Sequence, residues 1–147
     1  MTDEEFDDFL SGCSDDQVSS LRALRLLIGR NAEGLHETVN SGRWLHGYVF
    51  YSAVGQMIYA IGPKGKTRTT LHMMPYYGSA VLQERHGTAL AAFLTGKSCI
   101  AFRTYSELPL EAVTDIIRRG TPVMVAMIDE HARAKQVGPT ARPGNSD

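Results

Sequence analysis

Apolar positions fall at helical spacing near both ends of the chain and gather in short runs between them. Phe6, Phe9 and Leu10 share one helical face behind Thr2-Asp3-Glu4-Glu5, a T-x-x-E capping box, and Ser11-Gly12 stops this helix. Ser14-Asp15-Asp16-Gln17 is a second box. It opens a helix with Val18, Leu21, Leu24 and Ile28 on one face, Leu27 beside them and fraying from Gly29 to Ala32. Leu110, Val113, Ile116 and Ile117 mark a third helical face behind Pro109. Glu111 in its first turn and Arg118 and Arg119 in its last complement the helix dipole. Gly120 and then Thr121-Pro122 predict that this helix ends and a final one begins, with Met124, Met127, Ile128 and His131 at i, i+3, i+4 and i+7.

The middle of the chain reads as strands. Glu33 to Ser41 is ambiguous, a short helical turn ending at Gly42 being one option, and Trp44 falls in a short extended piece. Tyr48 to Ala53 is rich in aromatic and β-branched residues, Gly55-Gln56 reads as a tight turn, and Met57 to Ile61 follows. Gly62 to Lys66 is a second turn, leading into Thr67 to Met74. Three strands with short links build an antiparallel meander. Pro75 to Gly78 breaks the sheet, and Ser79 caps a helix through Arg85 that ends at Gly87. Ala89 to Thr95 is apolar and undecided. Ser98 to Phe102 is a buried strand, entered through Gly96, whose tolerance of positive φ suits a turn. The expected fold is α+β, a small antiparallel sheet with helices packed against it. One domain is expected over residues 1–135, and a disordered tail over 136–147, where Gly, Pro, Asn and Ser show no apolar periodicity.

Composition narrows the function classes. The chain has 147 residues, 43% hydrophobic and 21% charged, enough for one domain with a real core. A net charge of −1 argues against a dedicated nucleic-acid binder, so no nucleic-acid partner is expected. Cys13 and Cys99 form no CxxC and read as two free thiols. The acidic opening is unlike a secretory or transit signal, and no apolar run approaches the roughly 20 residues of a membrane span. A cytoplasmic protein without a membrane partner is expected.

Candidate chemistry is sparse. Ala60 to Thr67 and Ala91 to Ser98 both end in GK[ST], but each has Ala where the first Gly of a phosphate loop belongs. Each is also followed by strand-like residues rather than a helix. Asp3, Glu4, Asp7 and Asp8 offer carboxylates at i, i+4 on the first helix, a candidate cation surface or a solvated first turn. The five histidines include no i, i+4 pair. Strand parity sets His72 with Thr70 and Met74. If Cys99 faces the same side, a His/Cys/Met set suits a soft or borderline metal, the alternative being a His hydrogen-bonded to backbone. Arg43, Trp44, His46 and Tyr48 are a candidate ligand pocket, with Trp44 reading equally as core. Lys64, Lys66 and Arg68 form a basic hairpin, by default a solvated turn. No catalytic set emerges: no serine sits in G-x-S-x-G, and Cys99 lies in a buried strand without a local activator.

Leu21-Arg22-Ala23-Leu24-Arg25, Glu37-Thr38-Val39, the aromatic strand at Tyr48 and Gly96-Lys97-Ser98-Cys99-Ile100-Ala101-Phe102, in that order, resemble the YdhG-like family. This is the domain-of-unknown-function family numbered 1801, and the likeness covers most of residues 3–120. It implies a compact α+β fold and no catalytic residue set. One branch of the family is described as a frataxin-like iron chaperone, so the resemblance implies iron as the metal. The expected function is a non-catalytic cytoplasmic ligand- or metal-binding protein. There are two alternatives: an interaction module that needs no metal and acts through an exposed sheet edge or the last helix, with a homodimer as one form of it, and an unrecognised enzyme.

Overall fold

Val49, Ile61, Leu71 and Ile100 stand side by side on neighbouring strands, and each is 0% exposed. That row is the floor of the core, and the helices lie on it. The computed structural model describes residues 1–140. In chain order these are α1 (Asp3–Leu10), α2 (Asp15–Asn31), β1 (His36–Val39), β2 (Val49–Ala53), β3 (Gln56–Lys64), β4 (Arg68–Met73), α3 (Met74–Tyr77), α4 (Ala80–Leu90), β5 (Cys99–Phe102), a 3₁₀ turn (Tyr105–Glu107) and α5 (Leu110–Thr140). The fold is α+β. One antiparallel sheet of five strands runs β1-β2-β3-β4-β5, and the link from β4 to β5 passes through α3 and α4.

Strand alternation gives the sheet two unlike faces. The inner face carries Val49, Tyr51, Tyr59, Ile61, Leu71, Met73, Ile100 and Phe102, all buried. Leu21, Leu24 and Ile28 of α2 and Val113, Ile116 and Ile117 of α5 complete that core. The outer face carries a row of Thr38, Phe50, Ala60, His72 and Cys99, one from each strand. Local chemistry places the first two helices: Thr2 and Ser14 both close reciprocal capping boxes, with Glu5 and Gln17. Gln17 does more than cap. Its buried side-chain amide donates to the Gly65 and Arg68 carbonyls at 3.0 and 2.8 Å, pinning the β3–β4 hairpin to α2.

Several expectations change. Residues 36–39 form an edge strand, not a helical turn. Trp44 lies in a loop with positive φ at Leu45 and Gly47, not in an extended piece. The β2–β3 turn is centred on Val54-Gly55, both with positive φ, one residue earlier than expected. Gly96 does not take positive φ, and α4 runs through Gly87 to Leu90. The largest difference is α5. Gly120, Thr121 and Pro122 do not end it, and it continues through Thr140 into the stretch expected to be tail. Packing overrides the local stop signal. Thr121 Oγ1 donates to the Ile117 carbonyl at 2.6 Å, and the buried Tyr59 hydroxyl lies 2.7 Å from the same Oγ1. The rest of the expected tail, 141–147, lies outside the described residues.

Candidate functional site

The outer sheet face unites residues that the sequence placed in two separate candidate sites. Asn40 builds the loop that covers it. Its backbone pairs with Tyr48 and Gly47 at 2.8 Å each, and its amide donates to the Trp44 and Leu45 carbonyls at 2.6 and 3.2 Å. Trp44 and Tyr48 are thereby set edge-on to His72, with ring centroids 5.9 and 6.1 Å away, and Trp44 also meets Phe50 at 6.4 Å. The Tyr48 ring lies over Gly62, where a Cβ would come within 2.6 Å of it. Trp44 is therefore not core. It is 59% exposed and lies on top of the face. Arg43 and His46 are exposed in the same loop, and His46 Nδ1 lies 3.2 Å from the Gly42 carbonyl.

His72 and Cys99 are register partners across β4 and β5, so they do share a face. Cys99 is half-buried rather than enclosed, because it opens β5 on the thinly covered side; its Sγ lies 3.2 Å from Thr95 Oγ1. Burial, and then the nearby Lys64 charge, hold the His72 imidazole below its usual pKa. His72 Nδ1 and Thr70 Oγ1 are buried without a hydrogen-bond partner.

The acids of α1 point elsewhere. Asp7 pairs with Arg22 and Asp3 with Arg25, each at 2.9 Å, whereas Glu4 and Asp8 are exposed. Arg25 also reaches Glu37. Its Nε and Nη2 donate to the two carboxylate oxygens at 3.0 and 3.1 Å, and the Tyr51 hydroxyl donates to Glu37 Oε2 at 2.7 Å. Burial, and then that hydrogen bond, push the Tyr51 phenol far above its ordinary pKa. Arg25 lies 4.5 Å over the Phe6 ring. This cluster fastens α1 and α2 to the edge strand, and its donors and acceptors satisfy one another. Among the described residues no three His, Cys, Asp or Glu side chains stand close enough together to hold a metal ion.

A different place has the shape of a binding site. Between α3–α4 and α5 runs a groove of about 320 Å³. Pro75 and Gly120 bring the two sides together, and Val81, Leu82, Val123, Met124 and Met127 form apolar walls. Arg85 and Arg119 line it as well. Asp115, beside them, accepts from Arg119 Nε and from His86 Nε2 at 2.6 Å each, which ties α4 to α5. Those two bonds, that of His86 first, hold the Asp115 carboxyl below its ordinary pKa. Val81 is 67% exposed, and Val123 and Met127 are each 62% exposed. The expected stripe on the last helix is thus divided. Met124 and Ile128 pack against the core, whereas Met127 and His131 face away. The sequence signal for the groove was Val123, four residues before the Met127 of the stripe that was read. Nothing local announced Val81, Arg85 or Arg119 as its partners. No family model, curated protein or solved structure matches the chain.

Proposed function

We propose that the chain is a non-catalytic binding protein whose ligand site is the groove between α3–α4 and α5. The observation that carries this reading is an apolar trough of about 320 Å³ with only a few polar side chains on it. That is the size and make-up of small-molecule sites, which are concave, mostly apolar and roughly 300–1,000 Å³. Three methionines, Met74, Met124 and Met127, line it, and their unbranched, polarizable side chains adapt to differently shaped ligands. Kinship with the YdhG-like family belongs to the proposal on the strength of the ordered motifs. Iron is not part of it, since Asp3 and Asp7 are engaged by arginines and, among the described residues, no third His, Cys, Asp or Glu joins Glu4 and Asp8.

A second reading rests on the exposure of Val81, Val123 and Met127 on one face, because soluble monomers seldom leave large contiguous apolar patches open. In it, a second copy of the chain covers the groove and the protein is a homodimer.

The test of the first reading is an apolar fluorescent dye titrated into wild type and Val81→Glu. Val81 is exposed, so the fold tolerates the charge. The expected result is strong dye fluorescence that the variant loses with an unchanged melting temperature. Equal dye binding by the variant contradicts the groove as the site.

A further inference from the structure

The polar end of the groove limits what can fill it. Resting on the groove reading, we infer that the ligand is a small molecule with one anionic headgroup and an apolar tail, the headgroup held by Arg85 and Arg119. Among the described residues, only Ser79, Arg85 and Arg119 bring polar side chains to the lining, and both charged ones are cationic. No carboxylate among the described residues lines it. Asp115, the acid nearby, has Oδ1 engaged by Arg119 and Oδ2 by His86. Arg85 Nη1 comes no nearer than 3.7 Å to Asp115 and makes no hydrogen bond among the described residues. Arg119 spends only its Nε on Asp115, which leaves its terminal nitrogens. Two guanidinium groups, about half exposed and sharing the single Asp115 carboxylate as ion-pair partner among the described residues, therefore flank a trough of Val, Leu and Met. Guanidinium forks match carboxylate and phosphate oxygens. The apolar walls take the tail, and the methionines adapt to it.

Octanoate and its neutral counterpart octanol, titrated by calorimetry near neutral pH into the full chain, separate headgroup from tail. Wild type, Arg85→Gln and Met127→Glu are compared, each checked for an unchanged melt. Octanoate is expected to bind about ten-fold tighter than octanol, the worth of one charge-assisted contact. Arg85→Gln should reduce that preference, Arg119 remaining, and leave octanol binding unaltered, whereas Met127→Glu should weaken both. Equal binding of the two probes by wild type, or a preference undiminished by Arg85→Gln, overturns the anionic ligand while the groove reading stands, provided Met127→Glu still weakens both. Isotherms untouched by Met127→Glu overturn the groove reading and the ligand class with it. A stable dimer that dissociates as octanoate binds assigns the groove to a second copy and also overturns the inference.

Discussion

Gly120 of α5 and Pro75 of α3 approach so closely that a Cβ on Gly120 would stand 2.4 Å from the Pro75 Cβ. The missing side chain lets the α3 backbone settle onto α5, and both residues line the groove. Gly120→Ala is therefore a test of packing against propensity. In a free helix Ala is better than Gly by about 1 kcal/mol. Here the overlap with a rigid ring dominates, and overpacking costs about 1–3 kcal/mol. The expected outcome is a lower urea midpoint for Gly120→Ala. A higher midpoint would show that α3 shifts aside at little cost.

Val54 sits at φ 50 in the β2–β3 turn, followed by Gly55 at φ 73. Positive φ at both central positions is the geometry of a type I′ turn, which favours Asn-Gly, and a β-branched residue is strained there. The side chain is 59% exposed, so nothing packed is lost on replacing it. Val54→Asn is expected to stabilise the protein by about 1 kcal/mol, seen as a raised melting temperature.

Glu37 accepts from Arg25 twice and from Tyr51 once, with 17% of its side chain exposed. Glu37→Ala strands a half-buried guanidinium and a buried phenol together. The loss is expected at about 2–3 kcal/mol, below that of a fully buried pair because water still reaches the cluster. Tyr51→Phe removes one bond and should cost about 1 kcal/mol. Chemical denaturation of both variants, compared with Glu4→Ala on the exposed side of α1, provides the measurement.

His72 gives the fold a pH dependence of definite sign. Its folded pKa lies below the ordinary 6.5 because burial disfavours the cation. Between the folded and the unfolded pKa the unfolded chain binds more protons, so stability rises with pH across that window. The contribution is whole above about pH 6.5 and is lost as pH falls through the folded pKa. His72→Phe is expected to flatten the fall in melting temperature as the pH drops below the ordinary imidazole pKa of about 6.5. A variant with the wild-type slope would place the titrating group elsewhere.

Features that depend on neighbours in sequence were legible, and those that depend on distant contacts were not. The Thr2 and Ser14 capping boxes involve residues three apart, so the string of letters contains both partners. The β2–β3–β4 meander was visible for the same reason. β1 was missed because His36, Glu37 and Thr38 give an edge strand no apolar alternation. Arg25 and Glu37 both lie within motifs that suggested kinship, but only the edge strand brings them together. The reading of Gly120-Thr121-Pro122 as a helix end was locally sound. It failed because Tyr59, sixty-two positions from Thr121, holds that turn in place. The two tentative sites fared differently. Trp44 and Tyr48 meet His72, Arg43 and His46 are exposed in the same loop, and Asp3 and Asp7 pair with Arg25 and Arg22 instead. The groove joins α4 to a helix face that follows it by a whole strand and a turn, and no spacing encodes that meeting.

The protein's 6 methionines make the deciding measurement direct. Met74, Met124 and Met127 line the groove, whereas Met1, Met57 and Met73 lie elsewhere, Met73 in the core. With selectively labelled methionine methyls, octanoate can be followed by NMR at each site in one titration. The expected result is that the Met74, Met124 and Met127 signals move together along one binding curve while those of Met1, Met57 and Met73 hold still. Movement confined to Met1, Met57 or Met73, or no movement at any of the six up to millimolar octanoate, would contradict a ligand site between α3–α4 and α5.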